Sequence, residues 1–221
     1  LAAPSANPFG YVSPTQAQHV QNTLGDHIQA ILDGGPSELG LESTIVDLRE
    51  PLKPAILRHG PITEAQLSAV LAVPLCQHHS DNNDQSAQSA PGLLSKHYSP
   101  KAKVELLPHG TEKTAQTSHA GANSALVLNK KPNGNATGTN LFWLSETGDL
   151  SEIAHNLFEL IQRLDQQGFQ ILLIEQAPEQ GLGKAINDRL RRAAASDTLI
   201  GSPFSVNLLA NVYILPPFCG K

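Results

Sequence analysis

The stretch LSEIAHNLFELIQRLDQQGFQILLI, residues 150–174, joins an amphipathic segment to a short apolar run. Its first part predicts a helix over Leu150–Gln167, because apolar residues recur there at helical spacing, at Ile153, Leu157, Leu160, Ile161 and Leu164. Its last four residues, Ile171–Ile174, predict a strand. A helix that leads into a short apolar strand is a unit typical of α/β domains.

Three more apolar runs precede this unit, and a further helix follows it. The runs Val104–Leu107, Ala125–Leu128 and Leu141–Leu144 predict strands. Gly181–Ala195 predicts a closing helix, with basic residues near its C-terminal end, where the helix dipole favours them. The alternation predicts a small, mainly parallel α/β domain. GLGKAINDRL in the closing helix lacks the full spacing of a P-loop, so we exclude that motif.

Shorter elements are predicted before residue 76. Ser13 as the N-cap and Pro14 as the first helical residue predict a helix that ends at Gly25. The remaining predicted elements are strands at Ile28–Leu32, Ser43–Leu48 and Ala55–Arg58, and a helix Glu64–Leu71 capped by Thr63.

Two segments differ from the rest of the chain. QHHSDNNDQSAQSAPG, residues 77–92, is polar and predicts a linker or loop. His78 and His79 within it lack a further metal-type ligand at useful spacing, so we interpret them as solvated. The tail 196–221 is apolar without a helical period, and it is either an added strand pair or sequence foreign to the fold.

Composition excludes several classes of protein. With 40% hydrophobic and 16% charged residues, the chain is typical of a soluble globular protein. It has no run of 18 apolar residues and no signal-peptide pattern, so we expect a cytoplasmic protein without a membrane span. A formal charge of −5 argues against a phosphate-backbone binder. The 221 residues include no methionine, and we expect a fragment whose start lies upstream.

Several polar residues lie where ligands commonly bind. In PSANPFGYVSP, residues 4–14, Ser5 and Ser13 precede a predicted helix, where hydroxyls and free N–H groups can hold an anion; alternatively, Ser13 is only an N-cap. Arg58 ends a strand and is either a phosphate clamp or a surface ion-pair partner. The pair His97–Tyr98 is either a lid or an entry segment to the next domain. A nucleophilic serine is not indicated, because no nucleophile elbow is present.

Five ordered motifs resemble those of one family. They are PSAN-x-x-G-x-x-SPT-x-x-x-HV at 4–20, ILDGG at 31–35, G-x-ESTIVD at 40–47, ILRHGPIT at 56–63 and PG-x-x-x-x-HYSPKA at 91–102. Together they resemble the threonylcarbamoyl-AMP synthase family, which has the YrdC-like fold. EQGLGKAINDRLRRAA, residues 179–194, resembles the extra domain of the two-domain members. The resemblance covers about Leu1–Ala195.

This resemblance implies an α/β architecture in four parts. We expect the C-terminal part of a YrdC-like α/β twisted-sheet domain at 1–75 and a linker with the HYSP lid motif at 76–103. A small Rossmann-like α/β domain is expected at 104–195, and an atypical tail at 196–221.

The resemblance also implies an activity. Members of the family are nucleotidyltransferases that condense L-threonine, bicarbonate and ATP into threonylcarbamoyl-AMP and pyrophosphate. The product serves the t6A modification of tRNA, which a partner transferase completes. Mg²⁺ is expected to accompany the ATP, held largely by phosphates and water. Double-stranded RNA is included among the candidate partners, and no membrane partner is expected.

Matching positions in the motifs imply the site residues. They are Ser5, Ser13, Arg58 and Tyr98 for ATP, the Ala3 backbone and Ser43 for threonine, and Asn7 for the shape of the pocket. No catalytic residue and no protein ligand for a metal is assigned.

One departure from the family and two alternatives remain. The family's basic K-x-R cluster and threonine–tyrosine segment do not precede Ser5, so we expect this chain alone to be incomplete for catalysis. The alternatives are a carbamoyl-transferring relative with the YrdC-like fold and a non-catalytic nucleotide- or RNA-binding module. The HYSP motif and the second domain count against the first, and the net charge counts against RNA binding.

Overall fold

The computed structural model describes residues 4–76, 97–111, 121–132 and 140–195, and the backbone of Tyr213–Ile214. The predictions for Ala3, for His78 and His79 and for most of the tail lie outside these residues. The elements are α1 (Ala17–Leu24), β1 (Ile31–Leu32), β2 (Ile45–Asp47), β3 (Ala55–Arg58), α2 (Glu64–Leu71), β4 (Lys103–Leu107), β5 (Ser124–Lys130), β6 (Leu141–Ser145), α3 (Leu150–Gln166), β7 (Ile171–Glu175), α4 (Gly183–Ala194) and β8 (Tyr213–Ile214).

Strands β4 to β7 form a four-stranded parallel sheet in the spatial order β4-β7-β5-β6. In this sheet Ile171 of β7 is paired with Lys103 on one side and with Ser124 on the other. All four strands and the helix between β6 and β7 lie within two residues of their predicted bounds. The expected parallel α/β domain is therefore confirmed.

Helices α3 and α4 pack on one face of this sheet. Their residues Leu157, Ile161 and Ile186 share one buried cluster with Val127 of β5 and Ile174 of β7. Alternate residues of β5 bury a smaller cluster on the opposite face, as the two-residue period of a strand requires. Each fully buried Leu or Ile side chain contributes about 1.5–3 kcal/mol relative to exposure, so this cluster is a main source of stability.

Residues 4–76 contribute smaller elements. Strands β2 and β3 pair antiparallel, and Thr63 caps α2 through a reciprocal capping box with Gln66, as predicted. The two described residues of the tail, β8, pair in parallel with β1. Within the described ranges, no helix has the length and apolar character needed to cross a membrane.

The prediction that α1 begins with Ser13 as N-cap and Pro14 as first residue is wrong. The helix begins at Ala17, and Gln16 is an N-cap without a side-chain hydrogen bond. Ser13 lies four residues before this start, and the Thr15 backbone N–H that a Ser13 cap would bind donates to His19 instead. The Ser13 hydroxyl and carbonyl bind the distant residues Glu42 and Gln162. Besides the small differences in β4 to β7 and α3, the predicted bounds of β1, β2 and α4 also differ, and these three elements are all shorter than expected.

Candidate functional site

Ser13, Glu42 and Arg189 form a hydrogen-bonded chain that joins the first part of the protein to α4. The Ser13 hydroxyl donates to Oε1 of Glu42 over 2.6 Å. Nε of Arg189 donates to Oε2 of the same carboxylate over 2.9 Å. Ser13 and Glu42 lie just before α1 and β2, whereas Arg189 is within α4. Both oxygens of Glu42 are therefore engaged, one from each part of the protein.

Arg58 and Ser43 form a second polar pair at the end of β3. The Arg58 side chain is buried, with 8% of the residue exposed. Its Nε donates to the carbonyl oxygen of Ser43 over 3.1 Å, and its Nη2 lies 3.3 Å from the Ser43 hydroxyl. The neighbouring Gly60 lies against the same segment, because a Cβ built there would be 2.4 Å from the Thr44 nitrogen. The structure thus places the guanidinium of Arg58 directly beside Ser43.

Tyr98 of the HYSP motif is buried against the C-terminal domain. Its ring stacks on Phe158 of α3 at 5.5 Å, and the guanidinium of Arg189 lies over it at 5.2 Å. The Tyr98 φ angle of +62° is in the left-handed region, which is uncommon for a bulky side chain. The preceding residue, His97, donates its backbone N–H to the carbonyl of Arg192. Tyr98 is thereby fixed between both helices of this domain.

The charges in this region shift several pKa values. Burial lowers the pKa of His97 and raises that of Tyr98. Glu42 raises both pKa values, whereas the positive charge of Arg58 lowers both. Burial likewise lowers the pKa of His59, which follows Arg58 in sequence. The charges of Arg58 and Glu42, which belong to the first part of the protein, thus act through space on His97 and Tyr98 of the HYSP motif.

The predicted ligand residues are therefore only partly brought together. The contacts and charges above link Ser13, Ser43, Arg58 and Tyr98. Ser5 is exposed, and no hydrogen bond within the described residues connects it to this group. Asn7 shapes the local loop, because its side-chain amide donates to the carbonyl of Tyr11 over 3.0 Å.

Arg189 was missed as a site residue, because we interpreted the basic residues of this helix as favourable charges near its C-terminal end. The buried face of α4 includes Ala185, Ile186, Leu190 and Ala193. Arg189 falls on the same face by helical spacing and is fully buried. An arginine within an apolar stripe is the sequence signal that could have identified it.

A sequence model described as "Threonylcarbamoyl-AMP synthase, C-terminal domain" matches residues 62–195, more than half of the chain. The chain belongs to the threonylcarbamoyl-AMP synthase family. A second family model, described as "Telomere recombination", matches residues 1–60. The resemblance inferred from the five motifs is therefore confirmed. The division at residues 75, 103 and 195 remains a prediction.

Curated members of the threonylcarbamoyl-AMP synthase family are similar over most of this chain. The Pyrococcus abyssi protein is 32% identical, covering 88% of this chain and 57% of its own length. The Bacillus subtilis protein is 30% identical, with the same two shares. The Schizosaccharomyces pombe protein is 34% identical, covering 88% of this chain and 52% of its own length. The chain thus spans a little over half the length of these relatives.

Two solved structures of the family are also similar. P. abyssi Sua5 complexed with L-threonine gives a TM-score of 0.70 at 30% identity, covering 87% of this chain and 57% of the other. A variant of P. abyssi Sua5, with a histidine and the tyrosine that follows it both replaced by alanine, gives 0.67 at 29% identity, covering 87% and 56%. These matches confirm the expected fold class, a YrdC-like part followed by an α/β domain.

Proposed function

We propose that the protein carrying this chain synthesises L-threonylcarbamoyl-AMP from L-threonine, bicarbonate and ATP, with release of pyrophosphate. The observation on which the proposal rests is the clustering of Ser13, Ser43, Arg58 and Tyr98 around Glu42 and Arg189. The family membership of the chain supports it. In this proposal Ser5, Ser13, Arg58 and Tyr98 contact ATP, Ser43 and the Ala3 backbone contact threonine, and Asn7 shapes the pocket.

Arg58 and Ser43 suit an anionic substrate. A buried guanidinium offers a planar set of donors that matches carboxylate and phosphate oxygens. The hydrogen bonds from Arg58 to Ser43 hold the positive charge beside the Ser43 hydroxyl, which in our proposal contacts the substrate threonine. The reaction needs the threonine nitrogen, the bicarbonate carbon and the α-phosphorus of ATP to be aligned. Fixed positioning of the reactants and stabilisation of phosphate charge are then the main contributions of the protein.

Ser13 presents an oxygen rather than a proton to its ligand. Its hydroxyl proton points to Glu42, so the lone pairs of the oxygen remain available as acceptors. An acceptor suits a ribose hydroxyl or Mg²⁺ better than it suits a phosphate oxygen. Groups of three His, Cys, Asp or Glu residues that could hold a metal do not occur in the described part of the chain. In this proposal Mg²⁺ accompanies the ATP, binds mostly to phosphates and water, and neutralises phosphate charge.

The His–Tyr pair of this chain supports the same assignment. Only one HY sequence occurs in the 221 residues, at His97–Tyr98. One of the similar Sua5 structures is a variant in which such a pair was changed to alanine. In our proposal Tyr98 contacts the nucleotide, which gives its buried hydroxyl a partner. The product would serve tRNA t6A modification through a partner transferase, in the cytoplasm.

A labelled-substrate assay tests the proposal. The full natural polypeptide that carries this chain is incubated with ATP, Mg²⁺, L-threonine and radiolabelled bicarbonate. We expect pyrophosphate release and a labelled adenylate, both dependent on threonine and on bicarbonate. The substitution Arg58→Lys should reduce both pyrophosphate release and formation of the labelled adenylate. Arg49→Lys on the exposed β2–β3 turn should reduce neither. Pyrophosphate release that is independent of threonine would contradict the proposal, as would RNA binding without ATP turnover.

A further inference from the structure

Arg189 occupies a position on α4 where an apolar residue would be expected. Its side chain is 0% exposed and lies on the same helix face as the buried residues Ile186 and Leu190. Burial of a charge is costly unless the charge is paired and hydrogen-bonded. The groups that contact this buried guanidinium therefore indicate its role.

The guanidinium contacts three groups at once. Nε donates to Glu42 over 2.9 Å, Nη1 donates to Asp188 over 2.6 Å, and the plane lies 5.2 Å from the centre of the Tyr98 ring. Such a combination requires the planar fork of arginine, which lysine lacks. Arg189 therefore fixes the positions of the Glu42 carboxylate and the Tyr98 ring relative to each other.

Glu42 transmits this position to Ser13. Its second oxygen accepts the Ser13 hydroxyl proton over 2.6 Å, so the direction of that hydroxyl depends on where Arg189 holds the carboxylate. Arg189 is thus linked to two residues that we assign to ATP, to Ser13 through Glu42 and to Tyr98 directly.

Two buried atoms of this group lack a protein partner. Nη2 of Arg189 and the hydroxyl of Tyr98 make no hydrogen bond with any described residue, although both are inaccessible to solvent. Unsatisfied buried polar groups are rare in folded proteins, and a functional site is one explanation for them. These atoms are therefore a second observation that points to a ligand-binding role for this cluster.

We propose that Arg189 is a positioning residue for ATP binding, which orients Ser13 through Glu42 and holds Tyr98 by stacking. This inference rests on the proposed function and gives α4 of the C-terminal domain a part in the nucleotide site. The alternative is an ion pair that only ties α4 to the first part of the protein. That alternative predicts a loss of stability without a specific effect on nucleotide affinity.

Calorimetric titration of Mg-ATP into the full natural polypeptide distinguishes the positioning role of Arg189 from a purely structural ion pair. Arg189→Lys keeps the charge but loses the planar fork. We expect it to weaken ATP binding about ten- to hundredfold, by analogy with metal sites, where loss of an outer-shell hydrogen-bond partner lowers affinity by about this factor. The matched control is Arg191→Lys on the same helix, because the Arg191 side chain is 53% exposed and pairs with Glu179. We expect the control to bind ATP like the wild type.

A double-mutant cycle identifies the route. If Arg189 acts through Glu42 on Ser13, Arg189→Lys combined with Ser13→Ala should bind ATP no more weakly than the weaker single variant. Losses that multiply would overturn this route, and so would a Ser13→Ala variant with unchanged affinity. If Arg189→Lys does not fold, Glu42→Gln tests the same series of hydrogen bonds at its middle residue. We expect Glu42→Gln combined with Ser13→Ala to bind ATP no more weakly than the weaker-binding of those two single variants.

The outcomes distinguish the inference from the proposed function. A wild-type protein that binds no ATP, with or without threonine, contradicts the proposed function and the inference with it. A wild type that binds ATP beside an Arg189→Lys variant of equal affinity contradicts the inference alone. A lower melting temperature with unchanged affinity gives Arg189 a structural role only, which also overturns the inference.

Discussion

The Ser13 hydroxyl and the Glu42 carboxylate, 29 positions apart, are joined by a 2.6 Å hydrogen bond. The carboxylate in turn accepts from Arg189, which is fully buried in α4. These three residues connect the segment before α1 with the C-terminal domain. A substitution at Arg189 should therefore have a measurable effect at Ser13, and a substitution at Ser13 should have one at Arg189.

Tyr98→Phe should separate ligand binding from stability. The Tyr98 hydroxyl is buried and lacks a partner among the described residues, so its removal should leave the melting temperature unchanged or raise it. The ring stack on Phe158 is preserved. If the hydroxyl contacts the nucleotide, ATP affinity should fall about two- to tenfold, as for one ordinary hydrogen bond. Calorimetry and thermal melts check both, and unchanged affinity would contradict the assignment of Tyr98.

Tyr11→Phe should have the opposite pattern. The Tyr11 hydroxyl donates over 2.6 Å to Asp165, whose other oxygen accepts from the backbone N–H of Ala102. Loss of a hydrogen bond to a charged group should reduce the free energy of unfolding by about 1.5–3 kcal/mol, without a direct effect on ATP affinity. Urea unfolding measures this. A Tyr11→Phe protein as stable as Tyr98→Phe would contradict the contact.

Stability should also fall in alkaline solution. Burial, the hydrogen bond to Asp165 and its charge all raise the pKa of Tyr11 above its usual 10.0. In the unfolded chain the phenol ionises first, so its contribution is fully present below about pH 10 and decreases as the pH rises further. In Tyr11→Phe this part of the decrease should disappear, and an unchanged pH profile would show that Tyr11 is not its source.

Gly60→Ala should disturb the threonine side of the site. The added Cβ would lie 2.4 Å from the Thr44 nitrogen and 2.7 Å from the Glu42 carbonyl oxygen, so this backbone must shift. We expect about 1–3 kcal/mol lower stability and weaker threonine binding. Gly121→Ala is the matched control, because its Cβ would be 3.7 Å from the nearest atom. Equal effects of the two substitutions in calorimetry and thermal melts would contradict the close packing at Gly60.

Glu42→Gln should lower the pKa of His97. Burial lowers that pKa, Glu42 raises it, and the charges of Arg192, Arg189 and Arg58 lower it. Removal of the single opposing charge leaves only the causes that lower it. An NMR titration of the His97 ring measures the change, and the control is Glu159→Gln at a half-buried position of α3, where the carboxylate pairs with Arg163. A His97 pKa that rises or stays constant would contradict the position of Glu42.

The lowered pKa of His97 also makes the stability of the wild-type protein depend on pH. Because the pKa of His97 is lowered in the folded state, the unfolded chain binds more protons below the usual value of 6.5. The contribution of neutral His97 is therefore present above about pH 6.5 and is lost as the pH falls through its folded pKa. The same sign applies to His19 and His59, whose pKa values burial also lowers.

The sequence predicts the C-terminal domain well because local patterns determine it. The spacing of Ile153, Leu157 and Ile161 locates α3, and the capping box at Thr63 locates the start of α2. Helical periodicity and capping depend on neighbours within a few residues, so both can be inferred without the tertiary structure.

The first part of the chain and the site are less predictable because they depend on distant partners. Ser13 has the sequence features of an N-cap, but its hydroxyl bonds to Glu42 and its carbonyl to Gln162, 149 positions away. The apolar stripe of α4 indicates that Arg189 is buried, but it does not show that Arg189 pairs with a carboxylate 147 positions away. Such contacts override local preferences, and composition does not reveal them.

The most direct test of the proposed site is a calorimetric titration of Mg-ATP into the full natural polypeptide, with and without L-threonine, in wild type and in Arg58→Lys. We predict that the wild type binds ATP, that threonine strengthens the binding, and that Arg58→Lys weakens it. ATP binding that is absent under both conditions, or that is indifferent to Arg58, would contradict the assignment of this cluster as the nucleotide site.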